Sequence, residues 1–499
     1  MKKTTKNGLR IAGGSGRLAI SLISLLLFSA FLFSACGGGG SSSAPSAGTS
    51  PVADTGGAGI ATGTATIPAY LLGGSIQKPT PLSLGGVVTT FAGTATVEGG
   101  TDGTGSSARF FEPQSLTTDG TYLYAGDYTV IRKISIASGS VTTLAGTNGM
   151  SDYADGTGTS ARFKYPNGIT TDGTYLYVTE FGDHTIRKVV IATGVVTTIA
   201  GGQGVSGLSD GTGTSARFNG PAGITTDGTN LYVAEHYGQT IRKITGVRGR
   251  GCTLTFTPAA LAGSTTVWTL PVVGSITIAA PGYGYAVGDV LNVPTAQNGT
   301  GTVTVGGVDS LDGVTSLSAV TLGTGYNNTP YTAQATTSNA LALVRTFRVT
   351  TLAGAKDVVT SWLDATGTAA RFNTPSGITM DATNLYVTDM DLIRKIVIAT
   401  GAVTTLAGDT SFSSLVFSGL KGGITSDGAN LYVSDDSGIR KVVIASGAVT
   451  DVAGKFDGTS GTTDATGTAA RFRWPTGLTS DGTSLYVEDS LNNTIRKIQ

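Results

Sequence analysis

The stretch Pro166-Asn-Gly-Ile-Thr-Thr-Asp-Gly-Thr-Tyr-Leu-Tyr-Val-Thr-Glu180, followed by Asp183-His-Thr-Ile-Arg-Lys-Val189 and Val196-Thr-Thr-Ile-Ala-Gly201, decides the fold. It contains four short runs rich in Val, Ile, Thr and Tyr, each bounded by Gly, Asp or Asn, which is the pattern of strands joined by tight turns. The same unit recurs. The Val-Thr-Thr segment begins at Val88, Val141, Val196, Val349 and Val403, with a variant Val-Thr-Asp at Val449. Asp-Gly pairs at Asp119, Asp172, Asp227, Asp427 and Asp481 supply the turn between the first two runs, where a positive φ suits glycine. Asp381-Ala382 is the exception, and a methyl group at a positive φ there would cost about 1 kcal/mol. Four antiparallel strands in each of six units of roughly fifty residues is the arithmetic of an all-β, six-bladed β-propeller.

The chain ends at Gln499, after the third strand of the last unit, whereas the Val87–Ala92 segment precedes any first strand. That phase predicts a ring closed by strand 87–92 and propeller parts at 87–246 and 348–499. One interval between repeats is about 100 residues too long, which places an insert at 247–347 in the loop between the third and fourth strands of the third blade.

The repeated strings resemble the NHL repeat family, whose pattern runs A-x-F-x-x-P-x-G-I, then L-Y-V-A-D, then N-H-x-I-R-K-I. Asp183-His184-Thr185-Ile186-Arg187-Lys188 and Asn492-Asn493-Thr494-Ile495-Arg496-Lys497 match it most closely. The resemblance implies the NHL-type propeller and says little about function, because propellers host binding modules, lyases and lactonases alike. In the insert, Pro281-Gly-Tyr-Gly-Tyr285 and Gly323-Thr-Gly-Tyr326 resemble the G-x-G-Y turns of small β modules in phage-tail and bacterial surface proteins. An inserted small β-domain is expected there.

Glycine fills 75 of 499 positions, about twice the ordinary share, which marks a loop-rich chain. With 39% apolar residues and equal numbers of basic and acidic groups, most of the chain can still build a core. Two cysteines exclude a disulfide framework and a four-cysteine zinc site.

Lys2, Lys3, Lys6, Arg10 and Arg17 precede an apolar and small run from Leu18 to Ala35, as in a secretory signal. Its end, Phe33-Ser34-Ala35-Cys36, resembles the lipobox of bacterial lipoproteins, with Phe where Leu is usual. The expectation is a signal peptide at 1–35, lipidation of Cys36 and a Gly/Ser/Thr-rich tether at 36–85, which would leave Cys252 as the lone thiol. The protein is then exported and lipid-anchored to the cell envelope, at the outer membrane where the cell has one. Removal of the signal leaves 27 basic against 32 acidic residues, a balance that argues against nucleic acid as a partner.

The acid ending each second strand (Asp127, Glu180, Glu235, Asp389, Asp435, Asp489) recurs with the arginine of the third (Arg132, Arg187, Arg242, Arg394, Arg440, Arg496). A pair repeated sixfold is structural, a carboxylate and a guanidinium satisfying one another. The arginines of the Ala-Arg-Phe motif (Arg109, Arg162, Arg217, Arg371, Arg471) are read the same way, and the aspartates of the Asp-Gly-Thr-Gly loops as turn formers. The fifth unit lacks Ala-Arg-Phe and should be the atypical blade. His184 occupies the family's own His position and reads as a contact between blades.

The residues entering the innermost strands, at the tunnel mouth, are Gln114, Asn167, Ala222, Ser376, Gly422 and Thr476, none of them a strong metal ligand. No catalytic residue, metal or cofactor is expected. The preferred reading is a monomeric binding scaffold for an unknown protein, peptide or glycan, touching the membrane only through its N-terminal lipid. Tyr128, Phe181, His236, Tyr237 and Trp362, in or beside the long loops, are its candidate ligand-binding residues. A propeller-type lyase or lactonase, and a structural envelope protein, are the alternatives.

Overall fold

The computed structural model describes residues 81–246, 347–356, 362–409 and 416–499, together with the backbone of short strands between Leu71 and Ile76 and between Thr253 and Arg345. The chain divides into two units, Met1–Thr64 and Ala65–Gln499, and every described residue belongs to the second. The signal peptide, Cys36 and most of the tether lie outside the described residues, as does Cys252.

Six antiparallel sheets form the blades, each with four main strands and three of them extended at the outer edge by a fifth strand of two residues. Blade two shows the pattern: Pro166–Thr171, Tyr175–Glu180, Thr185–Val190 and Val195–Gly201 pair in sequence order. The inner strands Pro113–Thr118, Pro166–Thr171, Pro221–Thr226, Pro375–Met380, Leu420–Ser426 and Pro475–Ser480 each lie beside the next, and the last returns to the first. The fold is a six-bladed β-propeller with these strands around its central tunnel.

Blade six takes its outer strand from the other end of the chain, Val88–Gly93 pairing antiparallel with Thr494–Ile498. In blade three the outer strand is Arg348–Ala353, paired with Thr240–Thr245 although about a hundred residues separate them in sequence. Two small sheets are formed by backbone in that interval. One joins Thr253–Pro258 to Val273–Ala280 and Ala340–Ala342, and the other centres on Val290–Pro294 and Thr300–Val308.

Alternation along each strand sends side chains into the gaps between blades, so each apolar cluster is shared by two neighbours. Tyr124 and Ile131 of blade one pack with Phe163, Ile169, Leu176 and Val178 of blade two. Inner strands converge on the tunnel and leave little room. A Cβ on Gly377 would collide with the carbonyl oxygen of Gly422 on the next blade, and one on Gly168 with the carbonyl of Ala222. Blade one reverses this arrangement, with Ser115 on the inner strand opposite Gly126 on the second.

The turns joining first and second strands are closed by their aspartates. Asp172 accepts the N–H groups of Thr174 and Tyr175 through Oδ1 and the Tyr177 hydroxyl through Oδ2. Glycine follows the aspartate with φ of +80° to +92° in five blades, whereas Ala382 keeps a negative φ. The methyl group there is accommodated by a different turn, so the strain expected at Ala382 is absent.

Candidate functional site

Each blade carries a buried ion pair at the distal end of its second strand. Separations run from 2.5 Å for Glu180–Arg187 to 3.0 Å for Glu235–Arg242, and both partners are shielded from solvent in every blade but the fifth, where Arg440 is partly exposed. The guanidinium lies over the motif phenylalanine, as Arg132 does over Phe110 at 5.2 Å. Its other nitrogen reaches the loop aspartate: Asp102, Asp155, Asp210, Asp364 and Asp464 pair with Arg132, Arg187, Arg242, Arg394 and Arg496. The reading of these aspartates as turn formers is therefore corrected. They fasten the loop to the blade, because each also accepts the N–H and hydroxyl of a threonine on the outer strand, such as Thr143 at Asp102. Arg109, Arg162, Arg217, Arg371 and Arg471 donate to backbone carbonyls of the short helical turn just before them, as Arg109 does to Ser106 and Ala108. These polar groups are occupied in holding the blades.

The face opposite the Asp-Gly turns differs, because there the repeats diverge. Phe111 and Tyr128 of blade one have ring centroids 4.6 Å apart, and Tyr128 meets Tyr165 of blade two at 5.3 Å. Phe181, His236 and Tyr237 form a second group, with centroids 4.9 to 5.9 Å apart across blades two and three. The Phe181 N–H donates to the Tyr165 carbonyl, so the two groups adjoin through the backbone of blade two and together form an aromatic arc over three blades. Tyr237 is 45% exposed, so this arc presents ring surface to solvent. Trp362 stands elsewhere, two residues before Asp364, at the position Tyr153 holds in blade two against Arg187.

Burial pushes the pKa of His236 down to about 4, so its ring is a neutral aromatic at ordinary pH. His184 lies at φ +58°, and its Nδ1 accepts the N–H of Gly220, which ties blade two to blade three. Gln239 does the same for Thr374 and Asn493 for Glu112.

At the tunnel mouth blade five departs from the others. Its inner strand carries one extra residue, since four steps from Leu420 to Ile424 oppose two on the partner strand where the others have three. The extra residue makes room for Lys421 beside Gly422. The Lys421 ammonium sits over Trp474 at 3.8 Å, and burial lowers its pKa against the pull of Asp436, Asp435 and Asp391. Sequence reading assigned this place to Gly422 and missed both Lys421 and Trp474; the lengthened Phe417-to-Ile424 interval was the available signal.

Among the described residues no group of three or more His, Cys, Asp or Glu is placed to hold a metal ion, and no helix is long and apolar enough to cross a membrane.

No protein-family model matches the chain. It is 32% identical over 161 residues to NHL repeat-containing protein 2 of Bos taurus, a match covering 29% of this chain and 22% of that protein. The human protein of the same name is 30% identical over 190 residues, covering 35% of this chain and 26% of its own length. The repeats of this chain are similar to those of these NHL repeat-containing proteins. The match spans about a quarter of the length of these relatives.

Solved structures with similar folds include a protein of unknown function from Bacteroides thetaiotaomicron, with TM-score 0.45 and 17% identity over 83% of this chain and 75% of that one. An auxiliary nutrient binding protein from the same organism has TM-score 0.33 and 14% identity, covering 83% and 76%. Virginiamycin B lyase from Staphylococcus aureus has TM-score 0.36 and 12% identity, covering 83% and 99%.

Proposed function

We propose that this NHL propeller is a binding scaffold of the cell envelope, exported by residues 1–35, held by a lipid on Cys36 and spaced from the membrane by the 36–85 tether. Its recognition surface is the aromatic arc, and residues 247–347 form a satellite β-domain inserted on the opposite face. The observation that carries the reading is the arc itself. Six aromatic side chains are gathered on the face where the repeat is least regular, and the sixfold ion pairs do not require them there. Partly exposed aromatic side chains supply large contact area at small entropic cost, which is what a recognition site uses.

Capture of ligands from envelope extract and from glycan and peptide arrays tests the recognition role, with the full chain compared against a Phe181→Ala/Tyr237→Ala variant. Loss of the captured species in the variant supports the arc as the surface. Identical capture by both removes it. Metabolic labelling with a radioactive fatty acid, in the wild-type chain and in Cys36→Ala, tests the anchor. Label that persists in the variant would refute lipidation at that residue.

A further inference from the structure

We propose that the arc and the tunnel mouth together bind an uncharged oligosaccharide, its sugar faces stacked on the aromatic rings and its hydroxyls hydrogen-bonded to the neutral polar side chains at the mouth. The proposal rests on the reading of the arc as a recognition surface and narrows it to one ligand class.

The first support is the chemistry of the mouth. Gln114, Asn167, Ala222, Ser376 and Thr476 enter the inner strands there, and they offer amides and hydroxyls without charge. Ser376 and Thr476 are engaged, Ser376 with the Thr388 hydroxyl and Thr476 with the Pro113 carbonyl. Gln114 donates from Nε2 to the Glu112 carbonyl. Its Oε1 and the partly exposed amide of Asn167 have no protein partner among the described residues. Amides pair readily with hydroxyls, which both donate and accept.

The second support is the charge inventory. A carboxylate- or phosphate-bearing ligand needs a cation free to meet it. Lys164 is paired with Asp183 at 3.4 Å, Lys421 is laid over Trp474 with three aspartates drawing on its charge, and the exposed Arg473 belongs to blade six, outside the three blades of the arc. Of the acids on this face, Asp435 holds Arg440 at 2.6 Å and Asp391 and Asp436 face Lys421, whereas Glu112, next to Phe111 and close enough to act on Tyr165, has no cation beside it among the described residues. His236 adds no charge, because burial keeps its imidazole neutral. What remains on blades one to three is ring surface bordered by uncharged hydrogen-bonding groups and by Glu112, an acid that would repel a polyanion. A pyranose, apolar on its faces and hydroxylated at its edges, complements such a surface, whereas a polyanion does not.

Calorimetric titration of the full chain with hexasaccharides of glucose, mannose and xylose, and with an oligogalacturonate of the same length, tests the assignment. The expected result is saturable binding of at least one neutral sugar, weakened about tenfold or more by Phe181→Ala/Tyr237→Ala and about threefold or more by Asn167→Ala. Circular dichroism confirms that each variant is folded, and Tyr237→Phe, which keeps the ring, should restore most of the affinity. Tighter binding of oligogalacturonate than of every neutral sugar, lost in Lys421→Met, would overturn the proposal in favour of an acidic ligand. Binding of no sugar, while the arc variants abolish capture of a peptide or protein, would overturn it and leave the recognition role standing. Arc variants that alter no capture at all would remove both.

Discussion

In blade five Asp451 pairs with Arg440 at 3.1 Å from the strand beside it, at the register where other blades place a threonine. Elsewhere the arginine's second acid comes from the Asp-Gly-Thr-Gly loop, and the fifth unit has no such loop in its sequence. The change from Val-Thr-Thr to Val-Thr-Asp at Val449 is thus a local replacement for a missing partner. Arg440 is turned accordingly: it reaches Asp435 through Nε and covers Phe456 at 4.0 Å, where its counterparts use an Nη nitrogen and cover the Ala-Arg-Phe ring.

The two layers of this network differ in burial, and so should their energies. Asp389 and Arg394 are fully buried, so Asp389→Asn should cost about 3 to 5 kcal/mol by leaving the guanidinium without its main partner. Asp451 is 44% exposed, so Asp451→Asn should cost about 1 kcal/mol or less. Denaturant melts of both variants check this. Equal losses would mean that the outer acid carries as much of the arginine's stabilisation as the buried one.

The repeat made the propeller legible, because six copies of four strand-like runs leave few other ways to bury Val, Ile and Tyr. The paired acids and arginines were readable for the same reason, being repeated. The recognition face was harder to see. Tyr165 and Trp474 share one position in the repeat with Glu112, Gly220 and Thr374, so no periodicity marks them, and their proximity to Tyr128 or Lys421 depends on how the ring brings blades together. Asp102 and its equivalents were misread because an aspartate in a Gly-rich loop looks like a turn former until the outer strand is placed beside it.

Close approach of the inner strands gives a second test. Gly377→Ala would drive a methyl group against the Gly422 carbonyl, which is backbone and cannot turn aside. A cost of about 3 kcal/mol or more is expected. Gly367→Ala, at the start of the short helical turn Gly367–Ala369 with φ +59° and open space where its Cβ would point, should cost only about 1 kcal/mol. A thermal shift for Gly377→Ala no larger than that for Gly367→Ala would show that the blades can separate freely.

Glu488 offers a pH dependence. Its carboxyl is fully buried in the space beside Gly477, next to the first blade's Ser115, and neither oxygen has a hydrogen-bond partner of good geometry. Other blades place Thr179, Ala234, Thr388 or Ser434 there. Burial, then repulsion from Asp127, raises its pKa well above the carboxylate range, and the Gly477 N–H opposes this only weakly. A group whose folded pKa is raised binds its proton more tightly in the native state. Its contribution is therefore fully present below the unfolded value near 4.5 and is lost as pH rises toward the folded pKa. Glu488→Thr should gain on the wild type by about 1.4 kcal/mol per pH unit within that window, seen in denaturant melts from about pH 4 upward. A difference that does not change with pH would mean that Glu488 is ionised in the native state.

The arc predicts the opposite behaviour for ligand binding. Burial holds His236 near 4, and burial together with Tyr128 pushes the Tyr165 phenol up to about 12. Neither changes charge near neutrality. Lys421 titrates below its usual 10.5, and Glu112 above its usual 4.5 through burial and repulsion from Glu98. Affinity for a neutral ligand on the arc should therefore stay within about twofold between roughly pH 6.5 and 8.5, because no ring or amide there gains or loses a proton. Calorimetric titration across that range checks it. A step centred near pH 7 that persists in His236→Phe would place control of binding in a group outside the arc, and a step abolished by that substitution would show that His236 is more exposed to solvent when the ligand binds than its burial in the free protein requires.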